Sequence, residues 1–283
     1  MRFRFPFQRE IPFEFVYELF SLLVAIIFVH AVYVTLIRPL AAEDLEQQAI
    51  RIEQDESYVA ERSVFVIVRD LEQEACMILM LWALAIMAYK GNSVIRERML
   101  LHDDLIPIED GTKIRYSDAR SLEQHIRSLP ENVVRSFLPR CLLAALHRFE
   151  SSRSISDASA TVESLCQAEG ERLDSELSMI RYIVWAIPSI GFIGTVRGIG
   201  QALALAYQAM EGDITGVTQS LGVAFNSTFV ALLLSLVLMF FVHQLQLLQG
   251  RLVLETQDYC GSRLIRHMEV GPSSPMKPGH DGP

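Results

Sequence analysis

Apolar residues are concentrated in four stretches of the chain, and their lengths indicate the architecture. Residues 15–37 have Glu18 and His30 as their only strongly polar members, and residues 75–89 carry no charge. Residues 183–210 contain one charge, and residues 217–248 contain none. A membrane-spanning helix needs about 20 apolar residues, and the upstream "VFVIV" can extend the short second stretch into one long helix. The pattern predicts an all-α, polytopic membrane protein with four transmembrane helices and a helical cytoplasmic segment.

Composition supports this class and argues against several others. Of the 283 residues, 51% are hydrophobic, and the mean hydropathy is +0.26, which is high for a soluble domain. The net charge of −9 gives no reason to expect a nucleic-acid partner. The four cysteines have neither metal-type nor redox spacing, and "GTVRGIG" lacks the phosphate-loop pattern. We therefore expect no catalytic residues, no metal, no cofactor and no enzymatic activity.

The distribution of basic residues predicts the orientation. Arginines precede the first apolar run, and Lys90, Arg96 and Arg98 follow the second, whereas residues 38–74 carry four arginines against ten acidic residues. Because lysine and arginine accumulate on the cytoplasmic side, both termini should be cytoplasmic and residues 38–74 should be exported.

The pattern divides the chain into ten consecutive segments. They are a cytoplasmic N-terminus at 1–14, spans at 15–37, 75–90, 180–210 and 217–248, periplasmic segments at 38–74 and 211–216, a cytoplasmic helical domain at 91–179, a cytoplasmic helix at 249–270 and a disordered tail at 271–283.

The third span carries its small residues on one helical face. Spacings of three and four place these residues together: Gly191, Gly194, Thr195, Gly198 and Ala202. Small residues in this pattern allow membrane helices to approach closely. Plain helix packing accounts for the glycines, whereas a threonine adds a hydroxyl to the packing face.

The fourth span also has a face of small residues, with Ser227 at its edge. The residues of this face are Ala224, Thr228, Ala231 and Ser235. A six-residue turn forces the two spans to pack antiparallel, which can bring Thr195 and Thr228 to a similar depth. Paired hydroxyls can line a narrow path for water or a cation, or they can serve only as structural contacts between helices. The pattern leaves both interpretations open.

The four spans contain almost no charged residues, and the missing carboxylates matter for ion conduction. No aspartate or glutamate lies in the interior of a span, since Glu18 is near the cytoplasmic start of the first, although ion pathways usually depend on a carboxylate in the membrane. If the chain conducts ions, another chain should supply the acid. Arg197 lies in the outer half of the third span, where it can snorkel or pair with an acid of the exported segment, or serve in gating or partner contact.

The last two spans resemble a known family. "PSIGFIGTVRGIGQAL" is similar to the "P-x-x-G-L-x-G-T-V-x-G-(I/M)" signature of the MotA/TolQ/ExbB proton-channel family. "LGVAFNSTFVALLLSLVLMFF" resembles the next helix of that family, and the charged helix leading into the third span also fits. Four spans resemble the flagellar arrangement, whereas the GTV motif is more similar to the ExbB and TolQ branch.

The resemblance implies a homopentamer in the bacterial inner membrane, around a dimer of a MotB/ExbD/TolR-like protein with one span and an aspartate. Thr195 and Thr228 match the family's pore threonines, and with Ser227 and Ser235 they are the residues predicted for the ion path. The small residues predicted to pack around the partner are Gly191, Gly194, Gly198, Ala202, Ala224 and Ala231. The subunit would convert an ion gradient, with protons favoured, into motion of an unknown cytoplasmic or envelope target. The alternatives are a non-conducting oligomerisation scaffold or sensor and, ranked lowest, a secondary transporter.

Overall fold

A computed structural model describes residues 13–54, 63–102, 105–106 and 113–270. These residues form helices, with one isolated bridge between Ile114 and Met268 and no strand in the described part. The predicted N-terminal segment up to residue 12 and the predicted disordered tail lie outside the described residues. The helices are α1 Phe13–Val32, α2 Arg38–Gln54, α3 Val64–Val68, α4 Leu71–Leu100, α5 Tyr116–Arg127, α6 Glu131–Val134, α7 Phe137–Ser152, α8 Ile155–Glu176, α9 Ser178–Ala204, α10 Ala206–Met210 and α11 Thr215–Tyr259.

Four helical stretches among the described residues are long and apolar enough to cross a membrane. They are Glu14–Gln48, Leu71–Leu100, Ile155–Ala204 and Thr215–His267. A helix rises about 1.5 Å per residue, so each stretch exceeds the roughly 30 Å of a hydrocarbon core. The predicted fold class, all-α with four transmembrane helices, is confirmed.

The described residues fall into two compact units. The first unit comprises residues 1–90 and 177–245, and the second comprises residues 91–176 and 246–283. In the first unit, α4, α9 and α11 enclose an apolar core in which Ile180, Ile183 and Ile187 are fully buried. Isoleucine at spacings of three and four places these side chains on one face of α9.

The start of α1 is attached to α4 within the first unit. The Tyr17 ring stacks on Tyr89 with centroids 4.6 Å apart, and the Trp82 indole donates to the Glu18 carbonyl at 2.9 Å. The Lys90 ammonium pairs with the Glu14 carboxylate. The opposite surface of α1 remains exposed and apolar, including Leu19, Phe20, Leu23, Ile27 and Phe28. An apolar surface of this size is typical of a face that contacts lipid.

Two breaks in regular α-helix differ from a simple interpretation of the sequence. A π-helical segment, Tyr33–Ile37, joins α1 to α2, so helix continues into the predicted exported segment as far as Gln54. The expected single helix through "VFVIV" and the second span is wrong, because Arg69 and Asp70 separate α3 from α4. Ile67 and Val68 nevertheless pack against the core of the first unit.

The second unit has its own core, formed by α5, α7, α8 and the segment after α11. Cys141, Leu142, Leu146 and Phe149 of α7 are fully buried there. Its polar residues pair with one another. The Glu169 carboxylate is 5% exposed and accepts hydrogen bonds from Arg140 and Arg172. A buried carboxylate requires such partners, because desolvation of an unpaired charge is costly.

Candidate functional site

The contact between α9 and α11 is unusually close, and glycine makes it possible. A Cβ atom on Gly194 would lie 2.5 Å from the Ser227 Cβ, and one on Gly198 would lie 2.7 Å from the Ser220 carbonyl oxygen. A Cβ on Gly191 would overlap the Ala231 methyl group. No side chain fits into these spaces, so the two backbones approach as small-residue motifs allow.

The six residues predicted for helix packing are all buried, and the three glycines among them face α11. Gly191 faces Ala231, and Gly198 faces Ala224. The predicted set is Gly191, Gly194, Gly198, Ala202, Ala224 and Ala231. The sequence assigned these residues to packing around a partner, but the observed contacts join α9 to α11 of the same subunit. A role against a partner stays a prediction.

The two threonines of the seam between α9 and α11 meet, as antiparallel packing of the spans predicted. The hydroxyls of Thr195 and Thr228 form a short hydrogen bond, and both side chains are half-buried. Thr195 Oγ1 also lies 3.0 Å from the Ala224 carbonyl oxygen and 3.3 Å from that of Gly191. Thr228 Oγ1 lies 3.2 Å from the same Gly191 oxygen.

This cluster has more acceptors than hydrogens. Each hydroxyl donates one hydrogen and accepts others, whereas each carbonyl only accepts. Two hydroxyl hydrogens are therefore shared among two carbonyl oxygens and two hydroxyl oxygens. Several hydrogen-bonding patterns are thus possible without movement of the backbone. Such a cluster can orient water, relay a proton or contribute oxygen ligands to a small cation.

The two serines predicted for the ion path have different surroundings. Ser227 is 1% exposed and accepts a hydrogen bond from Gln73 Nε2 at 3.5 Å. Ser235 donates to the Val184 carbonyl at 3.2 Å. Pro188 lies four residues after Val184 and has no N–H to donate, so this carbonyl lacks its helical partner. The Ser235 hydroxyl therefore completes a broken helical hydrogen bond.

Polar residues at the beginning of α4 lie against the same seam. Arg197 of α9 donates to the Glu72 carboxylate at 2.7 Å. Glu74, two residues further along α4, is 6% exposed and binds Arg38 of α2 at 2.6 Å and His30 Nδ1 of α1 at 2.7 Å. The structure shows the pairing of Arg197 with an acid of the predicted exported segment that the sequence allowed. A role of Arg197 in gating or partner contact stays a prediction.

Three oxygen atoms in this region are buried without a hydrogen-bond partner. They are Asp70 Oδ2, Gln73 Oε1 and the Tyr33 hydroxyl. Burial raises the pKa of the Asp70 carboxyl above its usual range, while Arg69 and Arg197 oppose the shift. Buried polar atoms in proteins are usually satisfied, often by an ordered water. The start of α4 is thus a polar region beside an otherwise apolar seam.

A comparison with protein families decides the classification. Residues 133–258, which include α7, α8, α9 and most of α11, match the model of the MotA/TolQ/ExbB proton channel family. This segment of the chain belongs to that family. No curated protein and no solved structure matches it significantly.

The family match covers every residue predicted for the ion path. Thr195, Ser227, Thr228 and Ser235 all lie within residues 133–258. The MotA/TolQ/ExbB proteins are proton channels, and the four apolar helices make this member a membrane protein. The polar residues of α4 lie outside the matched segment.

Sequence reasoning missed Glu72 and Gln73. Both were assigned to the exported segment, and their contacts to α9 and α11 span 125 and 154 residues. The available signal was Arg197 itself, because a membrane arginine calls for an acidic partner. The choice among ten acidic residues required the fold.

Among the described residues, the second unit contains one group of metal-type ligands that the sequence did not indicate. One side-chain atom from each of Glu123, His147 and Glu150 lies within 4.8 Å of the others. Both carboxylates are already bound by guanidinium groups, Glu123 by Arg127 and Glu150 by Arg120, each at 2.6 Å. These contacts satisfy the carboxylates as surface ion pairs.

Proposed function

We propose that this MotA/TolQ/ExbB family member is the ion-conducting stator subunit of a motor in the bacterial inner membrane. It works with a single-span partner that carries an aspartate, and together they convert an ion gradient, with protons favoured, into mechanical motion. Both termini are cytoplasmic in this proposal. The moved or anchored target is an unknown cytoplasmic or envelope component.

The hydrogen-bonded pair Thr195 and Thr228 carries the proposal. The pair lies in the segment that matches a proton channel family, on the two helices that the resemblance assigns to the pore. Half-burial leaves the hydroxyls within reach of a group that approaches the seam. A carboxylate is such a group, because it accepts hydrogen bonds from hydroxyls and carries protons.

The need for a partner follows from the acids of the chain. Residues 183–210 and 217–248 contain no aspartate or glutamate. The acids nearest the seam in the described first unit belong to the beginning of α4, and Glu72 and Glu74 are both engaged in ion pairs. We therefore assign the carboxylate that exchanges protons to the partner. The resemblance to the MotA/TolQ/ExbB family implies the arrangement, which is five copies of this chain in a ring around two partner helices.

Electrical recording of the complex, co-expressed with the product of the neighbouring gene, tests the conducting role. Replacement of Thr195 or Thr228 by valine removes a hydroxyl with little change of volume. We expect proton current to fall on the order of tenfold or more, because a hydrogen bond to a charged group contributes about 1.5–3 kcal/mol. Thr195→Ser keeps the hydroxyl and should retain most of the current.

Thr218→Val is the matched control. Thr218 is an exposed threonine of α11 whose hydroxyl bonds only to carbonyls of its own helical turn, those of Ile214 and Thr215. The Thr218→Val variant should leave the current unchanged.

Electron microscopy of the same complex should show five copies around two central helices. A ring that contains the partner but passes no current would leave the scaffold as the function.

A further inference from the structure

The ion pair between Arg197 and Glu72 lies in the first unit, where α9 meets the beginning of α4. Its nitrogen and oxygen are 2.7 Å apart, and the Glu72 side chain is 12% exposed. The Arg197 side chain is 38% exposed. The contact is therefore a partly desolvated ion pair, in which removal of one charge leaves the other poorly compensated.

Gly194 brings this ion pair next to the hydroxyls of the seam. A Cβ atom on Gly194 would lie 2.6 Å from Ser227 Oγ and 3.2 Å from Glu72 Cγ. The Ser227 hydroxyl and the Glu72 side chain are therefore within about 6 Å of each other. Gly194 and Ser227 directly precede Thr195 and Thr228, so the ion pair lies at the helical turns that carry the two threonines.

We propose that Glu72 neutralises Arg197 beside the ion path, and that this balance of charge determines how readily a cation passes. The proposal rests on the conducting role proposed above. Glu72 acts here as a positioning and charge-compensating residue, and it is not the group that exchanges the proton. Arg197 then has a defined role in this chain as the opposing charge.

The sign of each single substitution follows from Coulomb's law. Loss of Glu72 leaves a positive charge that repels a cation, and loss of Arg197 leaves a negative charge that attracts one. At an effective dielectric constant near 20, a unit charge about 10 Å away changes the occupancy of an ion on the order of tenfold. Removal of both charges restores the balance.

Other charges near the pair are themselves largely compensated. Glu74 binds Arg38 and His30, and Arg69 lies 3.9 Å from Asp70. Asp70 also interacts with both members of the pair. These groups remain in all the variants, so differences among the variants report the charges of Glu72 and Arg197.

The experiment measures cation current through the partner complex for wild type, Glu72→Gln, Arg197→Gln and the double variant. We expect Glu72→Gln to lower the current roughly tenfold, Arg197→Gln to raise it, and the double variant to lie within about twofold of wild type. A purely structural contact predicts a different pattern, in which both single variants lose current and the double variant does not recover.

Arg98→Gln is the matched control, since Arg98 forms an ion pair with Glu255 at 2.6 Å within the second unit. It should leave the current unchanged. Size-exclusion chromatography shows whether each variant still assembles into the ring. If a single variant does not assemble, recovery of the current in the double variant still distinguishes charge balance from a purely structural contact. If wild type conducts and the two single variants change current in the same direction, the proposal is overturned. If wild type itself passes no current, the conducting role fails first.

Discussion

Gly198 lies where the Ser220 carbonyl of α11 comes closest to α9. A Cβ atom there would be 2.7 Å from that oxygen and 2.8 Å from the Ala224 methyl carbon. The obstacle is partly backbone, so it cannot yield by a change of rotamer. We expect Gly198→Ala to destabilise the protein by about 1–3 kcal/mol, as overpacking does. Thermal unfolding of the detergent-purified protein measures this loss.

Gly200 provides the comparison two residues further along the same helix. A Cβ there would meet nothing within 4 Å, so Gly200→Ala should be neutral or stabilise the helix by up to about 1 kcal/mol. Equal losses at both positions would contradict the explanation that the approach of α11 makes Gly198→Ala destabilising.

Individual residues of the site differ in whether their contacts could be predicted from the sequence. The meeting of Thr195 and Thr228 could be predicted, because helical periodicity fixes their faces and a short turn fixes the antiparallel direction. The partner of Arg197 could not be chosen, since nothing local distinguishes Glu72 from other acids of the exported segment. The convergence of Glu123, His147 and Glu150 likewise depends on how α5 packs against α7.

Within α9, Pro188 breaks the helical hydrogen bond that Ser235 then replaces. Ser235→Ala should leave the Val184 carbonyl without a partner, at a cost of about 1–3 kcal/mol. Pro188→Ala restores an N–H that can donate to the same carbonyl, so the serine becomes redundant. We expect Ser235→Ala to cost little in the Pro188→Ala background, and a double-mutant cycle on thermal unfolding measures the coupling. Additive effects would contradict this explanation and favour another role for Ser235.

The helices as elements were predictable to different degrees. The apolar runs fixed the four spans, because only hydrophobic length is needed. The π-helical turn at Tyr33–Ile37 could not be predicted, since it changes the hydrogen bonds without interrupting the apolar pattern. The break between α3 and α4 was also missed. It occurs at Arg69 and Asp70, and neither residue is a strong helix breaker.

At the scale of the whole molecule, the chain alternates between its two units at Lys90, Glu176 and Leu245. The proposed topology places α2, which lies in the predicted exported segment, outside the membrane, and α7, which lies in the predicted cytoplasmic domain, inside it. Single cysteines can test this because the four native cysteines are at most 2% exposed.

Glu46→Cys in α2 and Ser151→Cys in α7 place a thiol at an exposed position on each side. With a membrane-impermeant maleimide, Glu46→Cys should react in intact spheroplasts, whereas Ser151→Cys should react only after lysis. Wild type should remain unlabelled in both preparations, because its thiols are buried. The reverse labelling pattern would show that the protein has the opposite orientation in the membrane. The polar start of α4 would then face the cytoplasm. In that case the charge balance of Glu72 and Arg197 would act where ions leave the path, and not where they arrive.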